Sequence, residues 1–477
     1  MNGVDPAPTF ATISDLGLAL RSGQTTAVAL ANEALRRLES TGRAMNAVVT
    51  TTTETALALA ARADEELANG HDRGALHGIP YGAKDLLAVA GYPTTWGAAP
   101  FRNRYIENNA AVVERLEAAG AVLVAKLAMV EFAGGFGYDQ PDAAFTGPGR
   151  NAWNPERWAG GSSSGSGAAV AAGCVPLAIG SETWGSIHGP AAYNAITGFR
   201  PTYGLVSRHG AMALSWTMDK MGPMAHSVED CELTLLTLAG HDPRDPSTLH
   251  RSAYQCDQRR EGFRFATLTG ATIGVEAEVA DRYHEALRVF HDFGSVDEIR
   301  LPELPFDAAA ATIISAEAAS AFETFLEEGG AAELTALEDR VALLGAQVIN
   351  GGKTQRALRV RRKAMAAIDE LLAPFDAVIT PGRATVAPPI DQRFLEEPND
   401  PGARTIDGAA NLCGLPGLMM PMGLGRHGLP AAVGLTGRAE LDATILAVGI
   451  AFQERTGFHR EMPPEPAANA RDALHPS

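Results

Sequence analysis

Apolar positions near the start of the chain fall at helical spacing. After Thr25 or Thr26, either of which can cap a helix with its hydroxyl, Val28, Ala31, Leu35 and Leu38 line one face. A second helical stretch runs from about Thr55 to Ala68 and stops near Asn69-Gly70. Asn108 or Asn109 is placed to cap a third, which carries Val112, Val113 and Leu116 and ends at Gly120. The run AVLVAK, Ala121 to Lys126, then reads as a short buried strand. Helix and strand patterns in alternation predict an α/β fold with a parallel or mixed sheet.

The rhythm breaks over residues 133–166, which are dense in Gly, Pro, Asn and Ser and carry almost no apolar periodicity. A loop of that length inside a compact domain points to function or disorder. Alternation resumes in GAAVAAGCVPLAIGS, Gly167 to Ser181. Residues 307–372, rich in Ala, Glu and Leu, predict a helical cap or wall beside the sheet. FDAVITP, Phe375 to Pro381, returns to the core as a strand, and the proline-rich run from Ala387 to Gly402 predicts a surface loop. Neither an internal repeat nor a clean linker is visible, so a single domain is expected across 1–477.

Composition narrows the function classes. A 46% hydrophobic, 20% charged chain is that of an ordinary globular protein, and its 50 glycines and 29 prolines sit between apolar runs as turns. A net charge of −17 argues against a nucleic-acid or anionic-membrane surface. Cys174, Cys231, Cys256 and Cys413 are widely separated and match neither a zinc site nor a disulfide framework, which suggests a reducing compartment. The N-terminal MNGVDPAPTFATISD lacks the basic start and apolar run of a signal peptide, and no apolar run approaches a membrane span. The expectation is a cytoplasmic protein with no membrane and no nucleic-acid partner.

Three stretches carry candidate chemistry. GGSSSGSG, Gly160 to Gly167, suggests a phosphate loop, but no lysine stands where that motif requires one. Gly161 to Gly165 also fits the GxSxG nucleophile elbow, but the polar RNAWNPERWAG before it cannot be the strand that an elbow must follow. GIPYGAKD, Gly78 to Asp85, sets Lys84 at the end of a short apolar strand. Either Lys84 pairs with Asp85 at the surface, or burial lowers its pKa until the neutral amine can act as a base. GSETWGSIHGPA, Gly180 to Ala191, places Ser186 24 residues beyond Ser162, the arithmetic being 186 − 162.

In that order and spacing, GIPYGAKD, GGSSSGSGAAVAAG and GSETWGSIHGPA resemble the amidase signature family. The likeness extends through TGFRPTYGLVSRHG (Thr197–Gly210), DKMGPMAHSVED (Asp219–Asp230) and NLCGLPGLMMPMG (Asn411–Gly423), and weakens over about 260–400. It implies an α/β amidase-signature fold, with a mixed central β-sheet sandwiched by helices. Within one domain it places N-terminal helices at 1–70, the catalytic core at 71–240, a variable substrate-pocket region at 260–400 and a C-terminal core at 401–470. Carried over by position, Lys84 is the base, Ser162 the relay after a cis Gly161–Ser162 bond, and Ser186 the nucleophile. The backbone N–H groups of Thr183, Trp184, Gly185 and Ser186 occupy the family's oxyanion-hole positions. Met129, Gly161, Trp184 and His188 stand at substrate-binding positions, although core packing accounts equally well for Met129. The resemblance implies neither metal nor organic cofactor.

The chain departs from the family pattern inside the nucleophile stretch. Glu182 replaces Asp, Trp184 replaces the first Gly of GGS, and His188 replaces the Arg after the isoleucine. Trp184 can donate from its backbone only at negative φ, with its indole either walling the pocket or anchoring in the core. His188 removes a permanent cation and is otherwise expected as a packed, hydrogen-bonded histidine. The leading expectation is a serine hydrolase of neutral amides or carbamates with esterase side activity, small-molecule partners, and a monomeric or homodimeric state. The alternative is the A subunit of a tRNA-dependent amidotransferase, which hands ammonia to a partner. A catalytically dead scaffold is disfavoured, because all three triad candidates are present.

Overall fold

A short strand buried on both faces carries Lys84, and the rest of the sheet is arranged outward from it. In the computed structural model, residues 10–134, 141, 144–250, 254–393 and 406–464 are described. Their strands are β1 (Val48–Thr51), β2 (Pro80–Lys84), β3 (Val122–Leu127), β4 (Leu177–Glu182), β5 (Thr197–Arg200) and β6 (Lys220–Ala225). They continue with β7 (Phe263–Leu268), β8 (Gly294–Ile299), β9 (Ala377–Pro381), β10 (Gly417–Leu424) and β11 (Pro430–Thr436). These form one eleven-stranded sheet in the order β1-β3-β2-β4-β6-β5-β10-β11-β9-β7-β8.

The sheet is mixed. β2 runs parallel to β3 and β4, and β7 runs parallel to β8 and β9, while the remaining pairs are antiparallel. Every residue of β2, β3, β4, β5, β6, β9 and β11 is buried. Since successive side chains point to opposite faces, complete burial requires helices on both sides, which is the layered α/β architecture the sequence implies. The edge strand β8 differs: Ser295, Asp297 and Glu298 are exposed, and their polarity blunts a free edge.

Most helical expectations match within a few residues. Thr26 caps the helix Ala27–Arg37 by accepting from Ala29 N, although Val28 is only half-buried. The next helix spans Thr53–Ala68. The helix Ala111–Ala118 departs from its expected cap: it follows Ala110, and the Asn109 side chain accepts from Ala90 N at 2.7 Å instead. An asparagine near a helix start can serve a neighbouring loop as readily as its own helix. The region from 307 contains the helices Phe306–Ala321, Leu337–Ala346 and Gly351–Leu372, the last two packing against the first. Of the expected loops, residues 135–140, 142–143 and 394–402 lie outside the described residues.

The seam between β2 and β3 holds a buried ion pair. Lys126 Nζ on β3 lies 2.7 Å from Asp85 Oδ1, both side chains being fully buried. Lys126 also donates to Pro93 O and Thr94 Oγ1, and Asp85 Oδ2 accepts from Thr95 N. Removing one partner leaves an uncompensated buried charge, typically worth about 3–5 kcal/mol. Asp85→Ala is therefore expected to cost about 3 kcal/mol or more in urea unfolding, and adding Lys126→Met to it should restore part of the loss.

Candidate active site

β2 and β4 are parallel neighbours, so their C-terminal ends deliver side chains to the same edge, where ligands collect in α/β sheets. β2 ends on Lys84, and β4 ends on Ser181 and Glu182, with the turn Thr183–Ser186 immediately beyond. The third contribution is the serine-rich segment. It leads directly into the helix Ser164–Ala171, and the strand that a nucleophile elbow would require does not precede it. Two of its hydroxyls are structural: Ser163 Oγ exchanges hydrogen bonds with Ser181 O and N, and Ser166 Oγ donates to Ile179 O. Gly165 permits this packing, because a Cβ there would lie 2.4 Å from Ala47 O.

Ser162 is turned the other way. Its Oγ is 2.7 Å from Lys84 Nζ, and the Gly161–Ser162 peptide bond is cis. Lys84 Nζ also reaches Ser181 Oγ at 2.9 Å and Ser181 O at 3.4 Å. Lys84 is completely buried and its partners are hydroxyls and a carbonyl, not a carboxylate. Asp85, its alternative partner from the sequence, is committed to Lys126. Burial pushes the Lys84 pKa down to about 7 against the opposing pull of Asp219 and Glu182.

Ser186 is joined to this cluster through its backbone, Ser163 N donating to Ser186 O at 3.2 Å. Its hydroxyl makes no hydrogen bond among the described residues. Nor do the N–H groups of Trp184, Gly185 and Ser186 meet an acceptor there. A run of unpaired donors beside a serine hydroxyl can bind an oxyanion. Gly185 supplies the turn with φ +83°, while Trp184 stays out of the left-handed region.

The turn is held from behind by charge. Glu182 Oε2 accepts from Ile187 N at 2.9 Å and His188 N at 3.0 Å, while Oε1 accepts from Arg200 at 2.7 Å and from Asn411 at 3.1 Å. Burial works to raise the Glu182 pKa, but His188, Arg200 and Lys220 outweigh it and hold the carboxyl well below its usual range. Lys220 Nζ donates to Asn411 Oδ1 and is itself pushed down to about 7 by burial. Asp219 accepts from Thr183 Oγ1 at 2.6 Å and from the N–H groups of Leu214 and Ser215.

The four expected substrate-binding residues separate. Trp184 is 37% exposed, with its ring edge near Gly408, so it stands at the rim and is not a core anchor. His188 is buried behind the turn, with Nδ1 3.6 Å from Asp407, as a packed member of the charge cluster. Met129 is fully buried, and Val130 N next to it donates to Ser162 O. Gly161 is buried at the cis bond. Sequence reasoning assigned no role to Ser181, Arg200, Asp219 or Asn411, although all four lie within or beside the motif blocks that carry the resemblance. It also passed over Glu131, whose carboxylate accepts from Thr335 N and Ala336 N and ties the 337–346 helix to the Met129–Glu131 segment.

The amidase family model matches residues 29–446. The chain belongs to the amidase signature family. It is 36% identical to the A subunit of glutamyl-tRNA(Gln) amidotransferase from Chloroflexus aurantiacus, over 95% of this chain and 98% of that one. Among solved structures it resembles the peptide amidase of Stenotrophomonas maltophilia (TM-score 0.83, 29% identity, 98% of this chain and 100% of that one). It also resembles the same amidotransferase subunit from Thermotoga maritima (TM-score 0.78, 26% identity, 98% and 99%). This amidase acts on C–N bonds, as its family does.

One expectation is corrected by these relatives. A purely small-molecule partnership that excludes nucleic acid does not stand beside a 36%-identical relative whose name makes it one subunit of an enzyme concerned with a tRNA. The net charge of −17 describes only this chain's own average surface and sets no limit on what a companion chain carries. As for membranes, no helix among the described residues is long and apolar enough to cross one.

Glu182→Ala would free two turn N–H groups and take from the buried Arg200 its 2.7 Å carboxylate partner, leaving it Asp407 at 3.9 Å and Leu415 O. It is expected to lower amide hydrolysis about 10²-fold, on the scale of a lost oxyanion donor, and to destabilise the protein by about 3 kcal/mol. Initial rates and thermal unfolding of the variant check both.

Proposed function

We propose that this chain hydrolyses a primary carboxamide through an acyl-enzyme on Ser186 and releases ammonia, in the manner of the A subunit of an amidotransferase. The observation that carries the chemistry is the buried Lys84–Ser162 contact at 2.7 Å, with Lys84 brought to about 7. A lysine neutral near pH 7 accepts the Ser162 proton, reversing the donor direction of that hydrogen bond. Ser162 in turn takes the proton of Ser186, whose oxygen attacks the carbonyl carbon. Negative charge then develops on the carbonyl oxygen beside the unpaired N–H groups of Trp184, Gly185 and Ser186, with Thr183 at the edge of the same turn. The proton returns along the chain to the leaving nitrogen, which departs as ammonia. Water, deprotonated by the same serine–lysine pair, hydrolyses the acyl-enzyme. Identity with the amidotransferase relative along nearly the whole chain supports the ammonia-releasing role.

A second reading is supported by Trp184. An indole at the rim, where the family pattern has glycine, together with the uncharged GLMMPM of strand β10, suits a flat apolar substrate such as an aryl amide or aryl carbamate. Here the same steps give an acyl- or carbamoyl-enzyme and release an aromatic amine or alcohol.

Ammonia release from L-glutamine, compared with cleavage of a nitroanilide and a nitrophenyl carbamate, separates the readings. Faster turnover of glutamine supports the first; rapid carbamate or anilide cleavage with inert glutamine supports the second. In both, Ser186→Ala and Lys84→Met should each lower kcat by about 10³-fold or more while leaving the fold intact. Full activity in either variant contradicts the proposed chemistry.

A further inference from the structure

Arg383 lies in the region where the sequence resembles the family least, directly after β9. Gly382 N donates to Ala432 O at 2.7 Å, which fixes the chain as it leaves the sheet. From there the half-buried Arg383 guanidinium crosses to the nucleophile turn and donates through Nη2 to Gly185 O at 3.2 Å. It fits between two glycines. A Cβ at Gly185 would lie 2.8 Å from Nη2, and a Cβ at Gly189 would lie 2.7 Å from it. Gly189 N donates to the same Gly185 oxygen at 2.8 Å.

This carbonyl belongs to the peptide unit whose other end is the Ser186 N–H. The only cis bond among the described residues is Gly161–Ser162, so the 185–186 unit is trans and its C=O and N–H point in opposite directions. Anchoring the oxygen therefore aims the N–H. A cationic donor on the oxygen also polarises the amide and strengthens the N–H as a donor.

We propose that Arg383 is a positioning residue of the oxyanion hole, holding Gly185 O so that the Ser186 N–H faces the developing negative charge. This rests on Ser186 being the nucleophile. It assigns to an arginine from the opposite half of the sheet a task that the nucleophile motif does not contain. Glu182 holds the peptides on the helix side of Ser186, and Arg383 holds the one before it.

The test compares Arg383→Met and Arg383→Lys with the parent enzyme on the best substrate of the panel. For the methionine variant, kcat should fall about 30-fold, below the 10²–10³ typical of losing a donor outright, with KM within about twofold. Arg383→Lys, which keeps a cation within reach, should recover most of that loss. Affinity for phenylboronic acid, which forms a tetrahedral anionic adduct with a nucleophilic serine, should fall in step with kcat. Arg383→Gln gives the same comparison if the methionine variant does not fold. A raised KM at unchanged kcat would make Arg383 a substrate-recognition residue and overturn the proposal, as would unchanged kcat in the methionine or glutamine variant. Ser186→Ala run alongside keeps the two failures apart: if it stays active, the reading of the site is at fault before Arg383 is.

Discussion

The structure depends on keeping one ammonium out of water without giving it a carboxylate. Lys84 has hydroxyl and carbonyl partners only, and complete burial brings its pKa to about 7. An adjacent carboxylate would restore the charged form and remove the base. The sequence places one next door at Asp85, and the fold disposes of it by pairing it with Lys126 on the neighbouring strand. That buried pair does more than join β2 to β3. It reserves Lys84 for Ser162.

A second cluster performs the complementary task on the turn Thr183–Ser186. Backbone N–H groups there must stay unpaired inside a protein, a state that folding normally avoids. Rigid anchoring of the surrounding peptides makes it possible. Glu182 takes the N–H groups of Ile187 and His188, Ser163 takes the Ser186 carbonyl, and Arg383 with Gly189 takes the Gly185 carbonyl. Arg200, Asn411 and Lys220 neutralise and orient Glu182 in turn, so strands β5, β6 and the helix before β10 all bear on a turn after β4. This explains why the likeness to the family extends well beyond Lys84, Ser162 and Ser186.

What was legible in the sequence follows from locality. Helices with a polar cap and apolar spacing, such as Ala27–Arg37, and strands such as β3 announce themselves because their signal lies within a dozen residues. The triad candidates were legible through ordered motifs at fixed spacing. The charge network was not, because nothing local says that Glu182, Arg200 and Asn411 converge from positions up to 229 residues apart. His188 shows the same limit. The sequence left it between a substrate-binding position and a packed one, and only the fold brings its Nδ1 to 3.6 Å from Asp407, 219 residues (407 − 188) further along the chain. Arg383 was hidden in the weakly similar region, signalled only by a charged residue directly after a buried strand.

The central claim is that Lys84 is a neutral amine at the pH where the enzyme works, and its titration tests this most directly. With lysines labelled at Cε by carbon-13, two resonances should titrate with midpoints near 7, those of Lys84 and Lys220, and Lys84→Met should abolish the one that belongs to Lys84. Because the depressed pKa favours the neutral form, that resonance belongs to the free amine above pH 7 and to the ammonium below it. A Lys84 signal that remains that of an ammonium up to about pH 10, the ordinary lysine range, would contradict the account, since no base would then be present to activate Ser186.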